Sequence, residues 1–268
     1  MAPLNGLRNE LQRDYRINDY LDLVNLKPTD ITIEVQGNDP GIDWSSLLYI
    51  KNCRVLGRDA ETIVWCRSSG FFKTTLSPKQ VVELRMATGV ITWLDMFAHL
   101  RLLGYSKQSV PFVMGNLRLI QIGTREGNHT SWLNLHHVNT VNSSNTSARS
   151  RVLLNGGDTI IVNERIAVLK RKMMIADRIF ENQQKYLELA KVNHGEETPY
   201  GTRAEIITEF KQFRQCSAVL LAEAFVYRLL GREDVSADEI RKVVRAAQMD
   251  GTIARIEDPV KPQFPLRR

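Results

Sequence analysis

Cysteine is scarce. The 268 residues hold three, Cys53, Cys66 and Cys216, and no two are spaced as Cys-x-x-Cys. That excludes a disulfide framework and a zinc knuckle, and a reducing cytoplasm is the expected compartment. Long apolar runs are missing as well: the longest, Ala218 to Phe225, is broken by Glu223 and falls far short of the roughly 20 residues that a membrane span needs. No signal peptide opens the chain, so no membrane partner is expected. His-Glu-x-x-His, Gly-x-Ser-x-Gly and the Gly-x-x-x-x-Gly-Lys phosphate loop are all absent, which removes the common hydrolase and nucleotide-binding signatures. Only the group His129, His136 and His137 invites a catalytic or metal reading. Adjacent histidines on a strand point to opposite faces, the wrong arrangement for a shared metal or a catalytic pair. No catalytic residue, no metal and no cofactor is expected, and the chain does not read as an enzyme.

Basic charge is present, and it is uneven. Residues 1–50 carry 4 Lys/Arg against 8 Asp/Glu, residues 51–160 carry 13 against 6, and residues 161–268 carry 19 against 16. The middle of the chain thus supplies the excess behind the net charge of +6. That sign suits a phosphate-binding surface, and an ordinary solvated surface remains the competing reading. At 43% hydrophobic content the chain can bury one or two sizeable cores.

Four segments follow from punctuation and periodicity. Residues 1–40 read as an amphipathic helix over 1–27, with Leu4, Leu7, Leu11, Tyr15, Tyr20, Leu21 and Val24 on one side, ended by Pro28 and followed by a strand through Ile31, Ile33 and Val35. Residues 41–123 hold a first β-rich unit: Trp44 to Ile50, a strand Thr62 to Arg67, a turn at Ser68-Ser69-Gly70, a strand Phe71 to Leu76 and a helix opened by Ser77-Pro78. A connector follows, with a short helix through Leu94, Phe97, Ala98, Arg101 and Leu102 stopped by Gly104, and two short strands about Gly115-Asn116. His99, at helical spacing among apolar residues, reads as a packed helix residue rather than a ligand.

Residues 124–192 repeat this grammar. Trp132, Leu133, Leu135, Val138 and Val141 form a strand and its approach to a turn, and Asn142 to Ser150 is a loop. Arg151 to Leu154 and Thr159 to Val162 flank Asn155-Gly156-Gly157-Asp158, a turn whose residue types tolerate positive φ. Asn163 is placed to cap a helix running from Glu164 to Val192 through Ile166, Leu169, Met173, Ala176, Phe180 and Leu187. An offset of 88 lays Trp44 on Trp132, Leu47 on Leu135, Ile50 on Val138, Val64 on Val152 and Phe72 on Ile160, as an internal duplication would. The expected fold is α+β: two similar small β-rich units with closing helices, followed by an all-helical C-terminal extension over 193–268. In that extension a helix from Thr202 to Leu230 precedes one opened by the capping box Ser236 to Glu239, whose Arg241, Lys242 and Arg245 admit a helix-turn-helix reading beside that of a plain helical hairpin.

The order LSPKQVVELRMATGVITWLDMFAHLRLLGYSKQSVPFVMG, then SWLNLHHV, then VLLNGGDTIIVN before a long helix resembles the ComK competence transcription factors of Gram-positive bacteria over about residues 44–190. The second unit also resembles the LytTR class of DNA-binding domain, through His129, Asn134-Leu135, His137-Val138, Asn155-Gly156 and Val162-Asn163. The Ser-Arg expected at the second helix start is here Asn163-Glu164, with Arg165 adjacent. The resemblance implies a sequence-specific activator of competence or DNA-uptake genes whose partner is double-stranded, A·T-rich DNA. It places contacts in the loop at Arg125, Asn128 and His129 and at the helix start, Asn163 and Arg165. Lys73 in the first unit and Lys170 and Arg171 on the long helix complete the expected DNA-binding set. The alternative class is a protein-interaction or assembly module, and the stripe of the long helix admits a homo-oligomer through the helices after residue 163.

Overall fold

The computed structural model describes residues 4–53, 61–89, 91–105, 109–123, 130–144, 146–191 and 202–230, with residues 240 and 242. Its chain divides into two compact units, one of Met1–Val90 with Pro111–Arg178, the other of Ile91–Val110 with Ile179–Arg268. Both β-rich units therefore belong to one body, and the connector helix belongs with the C-terminal helices. Neither grouping was legible as a boundary at residue 123 or 193.

In the first unit two hairpins repeat the same construction. Strands β2 (Leu47–Asn52), β3 (Thr62–Cys66) and β4 (Gly70–Thr74) form one meander, and β8 (Val138–Ser143), β9 (Ser150–Leu154) and β10 (Thr159–Val162) form the other. Leu47, Tyr49 and Ile50 stand opposite Cys66, Trp65 and Val64, and Val138, Thr140 and Val141 stand opposite Leu154, Leu153 and Val152. Each meander has its irregularity at the same place, between Leu47 and Tyr49 and between Val138 and Thr140. The second hairpins agree too, Ile63 facing Lys73 and Arg151 facing Ile161. From β3 onward the offset is 88, but the first strand corresponds at 91, so Leu47 matches Val138 rather than Leu135. The connection after it is shorter in the second copy, residues 144–149 against 53–61, and a sequence alignment without gaps cannot express that.

Closing helices follow at equivalent places, α2 (Pro78–Ala87) and α4 (Ile166–Lys191). At α2 the Ser77 hydroxyl accepts from the Gln80 N–H while the Gln80 side chain accepts from Ser77 N–H, with Pro78 in the first turn, so three local signals agree on one start. Where the start of β2 meets the end of β3, the N–H of Arg67 donates to Ser46 O at 2.7 Å, and at the same place in the second copy Asn155 N–H donates to His137 O at 2.7 Å. The two turns also touch, since the Arg67 guanidinium donates to the carbonyl of Asn155, its own equivalent.

Further strands join the copies into sheets ordered β4-β3-β2-β7-β6-β5 and β1-β10-β9-β8, where β1 is Leu21–Asp22, β5 Phe112–Met114, β6 Leu117–Ile122 and β7 Ser131–Asn134. One run of chain passes from the first sheet to the second through a 3-10 turn at Leu135–His137. Buried Asn134 builds that corner: its side-chain oxygen accepts from the N–H of His136 and Arg118, and its amide donates to Leu47 O at 2.8 Å.

The N-terminal segment differs from the expected long helix. Among its described residues up to Lys27 only Asn9–Asn18 (α1) is helical; Asp19, at φ 57, ends it. Leu21–Asp22 then pairs parallel with β10, and Glu34 bridges parallel to Lys73 on β4, so the same segment edges both copies. Leu23 N–H donates to Ile161 O and Val35 N–H to the equivalent Lys73 O. Tyr15 holds the segment down by donating to the buried carboxylate of Asp158 at 2.8 Å.

In the second unit, α3 (Trp93–Leu102) packs with α5 (Arg203–Leu230). A capping box of Thr92 and Asp95 starts α3. His99 is buried, its ring 4.3 Å from that of Phe213 and 6.0 Å from that of Tyr186. Burial pushes the imidazole down to about 4. A site protonated near 6.5 when unfolded but only near 4 when folded makes the unfolded chain bind more protons between those values, so stability is complete above about pH 6.5 and falls as the pH drops toward 4. Wild type is expected to lose on the order of 2 kcal/mol between about pH 7 and 5, and His99→Phe to lose less. Urea melts at the two pH values measure this, and equal losses for both proteins would assign the effect to other groups. Of the predicted helix after Ser236, only Ile240 and Lys242 are among the described residues; both are helical, and Ile240 packs against Val219.

Candidate nucleic-acid interface

The start of α4 is built by an inward-turned carboxylate. Glu164 accepts from Lys172 Nζ, two helical turns on, and from Gly123 N–H at 3.3 Å, while Lys172 also donates to Gln121 O at 2.8 Å. Its own carbonyl accepts from the Ser150 hydroxyl at 2.6 Å. These bonds clamp the end of β6, the first residue of β9 and the helix start together. The root of the segment 124–129 is thereby fixed beside Asn163 and Arg165, although Arg125, Asn128 and His129 themselves lie outside the described residues.

Asn163 does not cap the helix. Helical residues begin at Ile166, and the first helical bond runs from Leu169 N–H to Arg165 O. The cap position thus falls two residues later than expected, because Glu164 is pulled inward by Lys172. Asn163 and Arg165 are left exposed on either side of it. Along the outer strip of α4, Lys170 and Arg171 are exposed with Ala167 and Met174. Among the described residues the side chains of Asn163, Arg165, Lys170 and Arg171 form no hydrogen bond or ion pair, so each keeps its full donor capacity.

Lys73 is placed differently. It belongs to the other copy, where its side chain is 16% exposed and its ammonium lies 3.7 Å from Glu34. Its charge is engaged within the fold, and it does not join the group at α4.

The two copies also differ in what covers their outer sheet faces. In the first, Lys51 is buried and its ammonium donates to the carbonyls of Leu23 at 2.5 Å and Val24 at 2.8 Å. In the second, the equivalent Asn142 and its cross-strand neighbour Arg151 are exposed. Arg151 is held by the ring of Tyr20, 5.5 Å from its guanidinium carbon, and Arg149 pairs with Asp22 at 3.4 Å. Arg151 and Asn142 extend the polar surface beyond the expected residues. The signal for Arg151 was available: Ser150, Val152 and Leu154 are buried and Arg151 alternates with them.

His136 and His137 stand on the 3-10 turn rather than a strand, and their rings meet edge to face at 5.0 Å instead of pointing apart. His137 is largely buried with Nε2 3.0 Å from Ser45 O, and burial pushes its pKa down. His137 thus ties the corner to the residues before β2. Among the described residues no group of His, Cys, Asp or Glu could hold a metal ion, and no helix is long and apolar enough to cross a membrane. Compared with family models, with curated proteins and with solved structures, the chain gives no match.

Proposed function

We propose that the protein is a sequence-specific double-stranded DNA-binding activator, acting in the cytoplasm on competence or DNA-uptake genes as its resemblance to the ComK and LytTR classes implies. One observation carries this reading: Asn163, Arg165, Lys170 and Arg171 are exposed without partners among the described residues, the first two flanking Glu164, which holds Gly123, and the other two farther along α4. Arg and Lys neutralise phosphates, and Asn and Arg are the side chains able to read base edges. Two β units in one chain suit two neighbouring half-sites, and Arg, Asn and His reading A·T-rich minor grooves is sound chemistry. The three free thiols suit a reducing compartment.

Binding to A·T-rich and mixed duplexes across a salt series tests it. The triple variant Arg165→Ala, Lys170→Ala, Arg171→Ala is expected to bind about a hundredfold more weakly at moderate salt and to flatten the log-affinity against log-salt slope by about 3. Its melting temperature should stay close to wild type, as should the affinity of the control Arg16→Ala. Equal affinities for triple variant and control would move the contact surface away from α4. A second reading, an assembly module, is favoured by the exposed Phe97, Leu187 and Leu221 of the helices; absence of DNA binding even at low salt would select it.

A further inference from the structure

We propose that β8 is a strand-docking edge through which two copies of this chain join, pairing β8 antiparallel with β8 across a two-fold axis. The inference is independent of DNA binding and rests on how the chain treats its other sheet edges. The outer side of β4 is sealed by the N-terminal segment: Phe71 N–H donates to Asn5 O, Lys73 N–H to Ile33 O and Val35 N–H to Lys73 O. The outer side of β10 is sealed by β1 and by Leu23. The remaining outer strands β1 and β5 have two and three residues, too short to template another chain. β8 has six residues and, among the described residues, pairs on one side only, with β9.

Its counterpart shows what such an edge accepts. β2, which matches β8 in register and irregularity, carries an antiparallel strand on its outer side, Tyr49 facing Leu133 and Ile50 facing Trp132. The equivalent positions Thr140 and Val141 have no strand beside them among the described residues, and Asn139, Thr140, Asn142 and Ser143 are exposed. The edge carries one irregularity, between Val138 and Thr140, which the paired β2 shares between Leu47 and Tyr49, and Val-Asn-Thr-Val-Asn-Ser contains no charge, no Pro and no Gly that would oppose pairing. A neutral edge favours a second copy of itself, because an isologous pair brings like side chains together and neutral ones do not repel.

Geometry selects a register. At the end of β2 the N–H of Asn52 turns outward to the Ser131 hydroxyl at 3.1 Å. By the alternation of an antiparallel ladder, the equivalent Ser143 and, two residues earlier, Val141 present their backbone groups outward. A pair centred on Val141 lets the two Val141 residues exchange N–H to C=O bonds, and sets Thr140 of each chain opposite Asn142 of the other on the exposed face.

Sedimentation velocity of the full chain, from low to high micromolar concentration, tests this with charge variants at exposed positions. Wild type is expected to be dimeric. Thr140→Lys with Asn142→Lys places like charges opposite one another and should give a monomer of unchanged melting temperature. Thr140→Lys with Asn142→Glu places opposite charges together and should restore the dimer. A wild type that stays monomeric overturns the proposal. So does a dimer that survives the double-lysine change, which would put the contact on the helices. Should the charged variants fail to fold, oxidation decides: Thr140→Cys with Asn142→Cys is expected to yield a covalent dimer where Thr140→Cys alone does not, and equal cross-linking of both overturns the register.

Discussion

Gly6→Ala is expected to lower stability by about 3 kcal/mol, and Gly70→Ala by a similar amount. These glycines stand where the N-terminal segment crosses the edge of β4, with Phe71 N–H donating to Asn5 O at 2.7 Å and Thr32 N–H to Gly6 O at 2.8 Å. A Cβ on Gly6 would lie 1.9 Å from Phe71 O, and one on Gly70 would lie 2.4 Å from Asn5 O. Both obstacles are backbone atoms in a paired sheet edge, so no flexible side chain can give way. Both residues also have φ +84, a region costing a side-chain-bearing residue about 1–2 kcal/mol. Relief requires separating the segment from β4, which loses the Phe71 bond and uncovers the edge. Gly41→Ala is the control: its φ is +63 but nothing lies within 4 Å of its Cβ, so only the conformational cost of about 1 kcal/mol remains. Urea unfolding of the three variants gives the comparison, and a Gly6→Ala loss no larger than that of Gly41→Ala would mean the segment does not cross β4 so closely.

Three consecutive cations on α4 are expected to behave in opposite ways. Lys172→Ala should cost about 3–4 kcal/mol, as removal of one partner of a buried ion pair does, since the Lys172 and Glu164 side chains are 14% and 11% exposed. Glu164 would keep Gly123 N–H but lose its counter-charge, and Gln121 O would lose a donor. Lys170→Ala and Arg171→Ala, at exposed positions, should each stay within about 0.5 kcal/mol of wild type while weakening DNA binding. Combining Lys172→Ala with Glu164→Gln should cost clearly less than the two changes summed, because the double variant buries no lone charge. Additive losses would show that the two groups do not act as a pair.

Much of the local structure was legible because it is written in short-range chemistry. Ser77-Pro78 specifies a helix start from two adjacent residues, and Asn155 to Asp158 turns where Gly156 and Gly157 do adopt positive φ. The duplication was visible from β3 onward, where the spacing is constant. It was misaligned at the first strand because a three-residue difference in a connection leaves no mark on hydrophobic periodicity. Leu21 continues the helical spacing, so the sequence predicts helix to residue 27. Its actual partner, Ile160, lies far along the chain, and parallel pairing carries no local turn signal. The cap misplaced at Asn163 has the same origin, since Asn is a good cap by itself and the pull of Lys172 on Glu164 acts across two helical turns.

What the sequence determined by itself is the order of the main elements from β2 to α5 and the likeness of two copies, both consequences of turn chemistry, capping and alternation between neighbours. Which copy is covered and which stays open was decided only in three dimensions. Lys51 and Asn142 are equivalent positions, yet one is closed over by the carbonyls of Leu23 and Val24 and the other faces solvent. The same holds for charge: nothing in the sequence separates Lys73 and Lys172, engaged with Glu34 and Glu164, from Lys170 and Arg171, which remain exposed. A cation's availability depends on whether a carboxylate or carbonyl is brought within about 3–4 Å of it, and that is settled by the path of the chain, not by the residue or its neighbours in sequence.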